Sequence, residues 1–529
     1  MTAKQLVFRD DAYRRILRGV DVLANAVRET LGPCARTVLL EQPSGPPVVI
    51  NSGVVVARAI TLPDPFENIG VDLVREAAAR TSEVAGDGTT TATLLAAAIV
   101  REGVKYVAAG GNPMDLKRGI DRAVAALVPM LHAIARPCTA RREIAQVAGI
   151  SANNDEGIGT LIADAMARVG NEGAITVEEG SGLESTLTVV EGMQFDRGYL
   201  SPYFINVEGG TRVVLEDAAV LVCARKLSVV TELLPALEVA AGKGWPLLLI
   251  AEDIEGDALA LLVINTLRGT LKACAVKAPA FGERQRAMLE DIAVLTAATL
   301  VDAQSGIGLA GLTAGQFGHV RRVEVDKDAC TLIGGCGTRE RIDARIGQLR
   351  AERERAGADD AREGLDQRLA CLAGGVAMIK VGGASEAEMK ERRARVEDAL
   401  HATRAAVAEG ILPGGGVALL RAGAVLETLH GAGHDEDCGV RIVQRAIEEP
   451  LRQLVANAGL DAAVVIERVL AGDGAFGFNA ASGEYGDLVA MGVLDPCKVT
   501  RCALQNAASV AGLILTIGCM VAPAPAGGG

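Results

Sequence analysis

Apolar positions near the start of the chain recur at helical spacing. Ile16, Val20, Leu23 and Val27 fall three or four residues apart behind the acids Asp10 and Asp11. This pattern predicts an amphipathic helix that stops at Gly32 and Pro33. A second long helix is predicted over 89–109, closed by Gly110, Gly111, Asn112 and Pro113. A third follows, with Ile120, Val124, Leu127 and Leu131 in phase, and Pro129 inside it is expected to bend or shorten it. The pattern changes in the middle of the chain. Strand-like runs at 219–223 and 246–250 alternate with amphipathic helices at about 231–241 and 256–267, which predicts an α/β domain. Residues 338–372 are dense in Arg, Glu and Asp around Ile342, Ile346, Leu349, Leu365, Leu369 and Leu372, the pattern of an exposed helical hairpin. Helices and glycine-rich loops resume from about residue 386. The economical arrangement is a helical domain assembled from both ends of the chain with the α/β domain inserted. Pro137, Gly192, Gly374, Gly375 and Gly410 are candidate hinges.

Length and composition narrow the class. At 529 residues the chain exceeds the roughly 250–300 at which single cores stop growing, so more than one domain is expected. Aromatics are only 3%, so the cores must be packed from Ala, Val, Leu and Ile. A net charge of −13 argues against nucleic acid or an anionic membrane surface as partner, because both need clustered Lys and Arg. ATP remains compatible, since backbone N–H groups and Mg²⁺ can meet its charge locally. The 11 cysteines are scattered without a Cys-x-x-Cys, and the five histidines show no metal spacing. They read as reduced, small hydrophobes of a cytoplasmic protein. The N-terminal residues lack an apolar signal core, so export is not expected. The uncharged stretch after Arg501 is too short to span a bilayer and reads as a buried helix and a strand, followed by a flexible Ala/Pro/Gly tail.

Four segments carry candidate chemistry. Asp87, Gly88, Thr89, Thr90 and Thr91 sit directly before the second helix. Glycines admit close backbone approach, threonines add hydroxyls at the positive end of a helix, and Asp87 offers a hard oxygen for Mg²⁺. The same residues also fit a Thr-capped helix start. Thr30, Leu31, Gly32 and Pro33 form a tight turn that is equally a simple helix stop. Gly414, Gly415 and Gly416 between helices either admit a base or sugar or form a flexible link. Glu397 and Asp398 lie on a helix, where an acid is usually a surface charge.

Taken together, these segments resemble the group I (GroEL-type) chaperonin family. The likeness rests on Thr30 to Pro33, Gly86 to Thr91, the run Val396-Glu-Asp-Ala-Leu-His-Ala-Thr-Arg-Ala-Ala406, and Gly414 to Gly416. It rests also on Glu191-Gly-Met-Gln-Phe-Asp-Arg-Gly-Tyr-Leu-Ser-Pro-Tyr-Phe204, Ala480 with Ala481, and Asp495 with Pro496. It spans about residues 4–521. The resemblance implies a mainly α fold with an α/β part, in three domains: equatorial (1–136 and 409–529), intermediate (137–190 and 377–408) and apical (191–376). It implies an ATPase that folds non-native polypeptides in two stacked seven-membered rings with a GroES-type co-chaperonin. Mg²⁺ is the expected cofactor, with K⁺ as an accessory cation. It places Thr30, Leu31, Gly32, Pro33, Asp87, Gly88, Thr89, Thr90 and Thr91 at the phosphates and Asp87 on Mg²⁺. Gly415, Asn479, Ala480, Ala481 and Asp495 would line the adenosine. Asp398 would swing in to orient the attacking water. Tyr199, Tyr203, Phe204, Leu234, Leu237, Leu259, Val263 and Ile264 would form an apolar face for clients and co-chaperonin, although ordinary core packing fits their pattern as well. Asn51 and Ser52 stand where the family has Lys and Asp, which opens an alternative: a divergent paralogue that binds clients and ATP but hydrolyses slowly.

Overall fold

The computed structural model describes residues 4–41, 47–170, 173–180, 182–207, 210–302, 308–356 and 359–523; the Ala/Pro/Gly tail from 524 lies outside them. The chain divides into two compact units, 1–163 with 391–529, and 164–390. The middle of the chain is thus inserted into a unit built from both ends. The division runs through both segments expected to form an intermediate domain.

The first unit is helical. Helices Arg9–Val27, Pro65–Ala85, Thr89–Ala108, Pro113–Ile134, His434–Ala446 and Cys497–Leu515 surround one core. That core is aliphatic, as the scarcity of aromatics requires; Ile16, Leu23, Leu95, Ile99, Leu116, Ile120, Leu127 and Leu131 are fully buried. Burying each such side chain contributes roughly 1.5–3 kcal/mol. Pro129 does not end its helix, which continues to Ile134. The lost hydrogen bond is offset by Leu127 and Leu131, buried on either side of it. The uncharged C-terminal stretch is the buried Cys497–Leu515 helix followed by strand Cys519–Pro523. That strand pairs antiparallel with Lys4–Phe8, Lys4 opposite Pro523 and Phe8 opposite Cys519. The Tyr13 hydroxyl donates to the Leu515 carbonyl at 2.6 Å and ties the two ends together. Among the described residues no helix is long and apolar enough to cross a membrane.

The second unit holds a six-stranded sheet in the order Gly192–Phe195, Cys330–Gly335, Gly318–Val325, Val213–Leu227, Leu247–Ile254, Ala273–Lys277. The last three strands are parallel and the others antiparallel. Helices Val230–Lys243 and Gly256–Leu267 are the crossovers of the parallel half, close to their predicted limits. Strand Val376–Val381 joins a smaller sheet between Ala174–Glu179 and Thr186–Val190. Gly192, a candidate hinge, is the first residue of strand Gly192–Phe195 and pairs with Ile333. The charged segment forms helices Arg339–Arg355 and Asp359–Gly374, but it is not wholly solvated. Ile342, Ile346, Leu349 and Leu372 are buried, and Arg345 and Arg368 both bind the buried Asp291 carboxylate at 2.7 Å.

Candidate functional site

Helix Pro65–Ala85 ends at Gly86 and helix Thr89–Ala108 begins after Gly88, with Asp87 between them. Gly86 has φ +74° and Gly88 φ +83°, the left-handed region that a residue with a Cβ rarely adopts. This double reversal fixes Asp87 at the mouth of the second helix. Gly88 N–H donates to Asp87 Oδ1 at 2.6 Å and Ser151 Oγ donates to Oδ2 at 2.8 Å. The Thr89–Ala108 helix has no side-chain cap. The Thr-cap alternative is therefore set aside, and the first N–H groups remain available to a ligand at the positive end of the helix.

Other elements converge on this loop. A Cβ on Gly53 would collide with Thr90 Oγ1 and lie 3.2 Å from Thr30 Oγ1, so the Asn51 and Ser52 segment abuts both threonine groups. The turn Thr30 to Pro33 is held by Asn457 Nδ2, which donates to the Arg28 carbonyl at 3.0 Å and to the Leu31 carbonyl at 2.9 Å. Cys34 Sγ contacts the Ala480 carbonyl at 3.2 Å and links this turn to Asn479, Ala480 and Ala481. Asn479 Oδ1 accepts from Ala481 N–H at 3.0 Å. Strand Ile411–Pro413 pairs with Leu494–Pro496, Leu412 opposite Asp495, and a Cβ on Gly414 would lie 3.1 Å from Asp495 Oδ1. A Cβ on Gly415 would lie 3.6 Å from the Phe478 carbonyl. The structure thus gathers the predicted phosphate, adenosine and acidic residues around one loop. Ser151 and Asn457 are additions that no local motif announces.

Helix Glu386–Glu409 brings in Asp398. Gly86 and His401 are in such close contact that a Cβ on the glycine would overlap the histidine Cβ. In this conformation Asp398 is already beside the loop without a swing. The residue as a whole is exposed, but surrounding protein atoms crowd its carboxylate. That crowding, the charge of Asp87 and then Glu397 push its carboxyl up to about 7. Desolvation and the same Asp87 charge push Asp495 up to about 6. Asp87 is itself raised by desolvation, against the pull of its bonds from Ser151 and Gly88. The Asp87 charge thus raises both Asp398 and Asp495, and carboxylates so placed favour a cation beside them. The donors are all hard oxygens, and the buried Asn51 Oδ1, on the segment that abuts Thr30 and Thr90, has no hydrogen-bond partner among the described residues. This set fits Mg²⁺ and a nucleotide triphosphate.

Residues 23–525 match the TCP-1/cpn60 chaperonin family. The chain belongs to the TCP-1/cpn60 chaperonin family. This chaperonin is 58% identical over 526 residues to Chaperonin GroEL 1 of Polaromonas naphthalenivorans (strain CJ2), covering 99% of this chain and 97% of that one. Its fold is also that of the chaperonin gp146 from bacteriophage EL 2 (Pseudomonas aeruginosa), crystallised in the presence of ATP-BeFx. The TM-score is 0.70 at 23% identity, over 98% of each chain.

The chaperonin's predicted client face lies in the second unit and is only partly a surface. Tyr203 is 62% exposed, Leu234 39% and Ile264 45%. Tyr199, Leu259 and Val263 are half-buried against the core. Phe204 and Leu237 are buried in it, which corrects their assignment to the exposed face. The cause is helical phase. Leu237 follows Leu233, also fully buried, on the inner stripe of its helix, and Phe204 closes a turn beneath Tyr203. Sequence reasoning omitted Val229, Leu267 and Phe281, at 51%, 63% and 73% exposure, which extend the apolar surface of the same unit.

Proposed function

We propose that this chaperonin is a Mg²⁺-dependent ATPase that couples hydrolysis to the capture and release of non-native polypeptides. The observation that carries the reading is the uncapped start of the Thr89–Ala108 helix beside Asp87, whose charge raises Asp398 and Asp495. Thr30 to Pro33 and Asp87 to Thr91 hold the phosphates; Gly415, Asn479, Ala480, Ala481 and Asp495 hold the adenosine. Mg²⁺, when held by Asp87, supplies neutralising charge at the phosphates. Asp398, poised near neutrality, orients the attacking water and takes its proton. Tyr203, Leu234 and Ile264 offer clients a non-directional apolar contact, which suits many unfolded chains.

Ring assembly belongs to the same reading. Leu6, Phe8 and Val521 are exposed on the ribbon joining the two chain ends, and Leu39 and Val49 on the Val38–Leu40/Val48–Ile50 ribbon. Two-stranded ribbons with open apolar edges are marginal alone and gain from pairing with a neighbour. Two seven-membered rings, a GroES-type lid, equatorial, intermediate and apical domains, and a cytoplasmic site of action complete the proposal, on the strength of the 58% identical relative. Phosphate release tests it. Hydrolysis should require Mg²⁺, Asp398→Ala should lower the rate by roughly 10²–10⁴-fold while nucleotide still binds, and Asp87→Ala should weaken binding too. Hydrolysis indifferent to both substitutions rejects the site.

A further inference from the structure

We propose that His132, Glu409 and Cys497 form a binding site for a thiophilic divalent cation of the zinc type, separate from the nucleotide site. Their ligand atoms lie within 4.8 Å of one another. Each comes from a different element: His132 from the last turn of Pro113–Ile134, Glu409 from the end of Glu386–Glu409, Cys497 from the first turn of Cys497–Leu515. This is why sequence spacing showed no metal pattern.

The backbone holds the three elements together at this point. Arg136 N–H donates to the Ile411 carbonyl at 3.0 Å and Ile411 N–H to the Arg136 carbonyl at 2.8 Å. Cys497 N–H donates to the Gly410 carbonyl at 2.9 Å. The side chains are therefore brought together by a fixed crossing of main chains, not by chance rotamers. Cys497 Sγ and His132 Nδ1 are 3.8 Å apart. A tetrahedral zinc with Zn–S of about 2.3 Å and Zn–N of about 2.0–2.1 Å sets its sulfur and nitrogen about 3.6 Å apart. That pair already has nearly the required separation, and Glu409, within 4.8 Å of both, has to close in by no more than about 1 Å.

Glu409 has a competing partner. Arg501 Nη2 and Nε bind its two oxygens at 2.5 and 2.9 Å. Arg501 Nη1 also binds Gln505 Oε1 at 2.6 Å, which keeps the guanidinium anchored when one Glu409 oxygen turns to a metal. Cys497 is buried and His132 exposed, so the ion enters from the His132 side and keeps a water as fourth ligand. Binding releases the thiol proton to solvent. A mixed N, O and S donor set selects zinc-like ions over Mg²⁺, so the two sites do not compete for one metal.

Cobalt titration of the reduced, assembled protein tests this. A thiolate-to-cobalt charge-transfer band should grow to one ion per subunit and be abolished by excess zinc. Cys497→Ser should eliminate it. His132→Gln, at an exposed position that leaves folding intact, should weaken affinity at least 10- to 100-fold. Arg501→Gln should tighten it by freeing Glu409. Absence of the band in the wild type, or a band unaltered by both Cys497→Ser and His132→Gln, overturns the proposal. Phosphate release is a separate readout, so failure here leaves the ATPase reading standing.

Discussion

Asp398→Asn gives the sharpest test of the electrostatics. In the folded protein the Asp398 carboxyl is raised to about 7 from an ordinary 3.8. The folded state therefore holds this proton more tightly than the unfolded state. Its stabilising effect is complete below about pH 4 and is lost as pH rises through about 7. A shift of this size corresponds to a ceiling of about 4 kcal/mol. The residue is exposed, and solvent screening brings the expected effect down to about 1–2 kcal/mol. Melting of the nucleotide-free protein in chelator should fall between pH 5 and pH 8. Asp398→Asn, which cannot ionise, should recover roughly 2–4 °C of that fall at pH 8 and change little at pH 5. Asp495, raised to about 6, keeps part of the slope in the variant. Mg²⁺ with nucleotide should flatten the wild-type curve, since a cation relieves the repulsion. Wild-type and Asp398→Asn curves that run parallel from pH 5 to pH 8 would refute the convergence of acids.

Four further outcomes rest on contacts described above. Ser151→Ala removes a hydrogen bond to the Asp87 carboxylate, and Mg-ATP affinity in equilibrium titration should fall about tenfold, the scale of a charge-assisted bond. Ser52→Asp restores an acid beside Thr30 and Thr90, and single-turnover hydrolysis should speed up by about tenfold or more; an unchanged rate means Ser52 does not limit turnover. Tyr203→Ser with Ile264→Ser should cut capture of an unfolded client with ATPase intact. Leu237→Ala should instead destabilise the second unit by roughly 2–5 kcal/mol in denaturant unfolding, as a core truncation does.

Much of the scaffold was legible because helical period writes a buried stripe into the chain. The helix expected at 256–267 is Gly256–Leu267, and the Thr89 helix starts where the glycine pair predicts. Legibility failed where one stripe was not the whole story. Ala258 and Leu262 are buried while Ile264 and Leu267 on the same helix are exposed, and a helix apolar on both faces does not say which one packs. The motif residues of the site were readable singly, from the resemblance. The action of the Asp87 charge on Asp398 and Asp495 was not, because these acids meet only after some 400 residues of chain fold back. Ser151, Asn457 and the His132, Glu409 and Cys497 group were hidden for the same reason: each depends on long-range contacts that no local spacing encodes.

The most direct test of the central claim is the refolding yield of a chemically unfolded client, measured alongside phosphate release with ATP, with a non-hydrolysable analogue and with no nucleotide. The account predicts capture without nucleotide, release of active client with ATP and a GroES-type lid, and loss of both turnover and yield in Asp398→Ala. Equal yield in all three nucleotide conditions, or undiminished yield from an Asp398→Ala protein that no longer hydrolyses ATP, would contradict it.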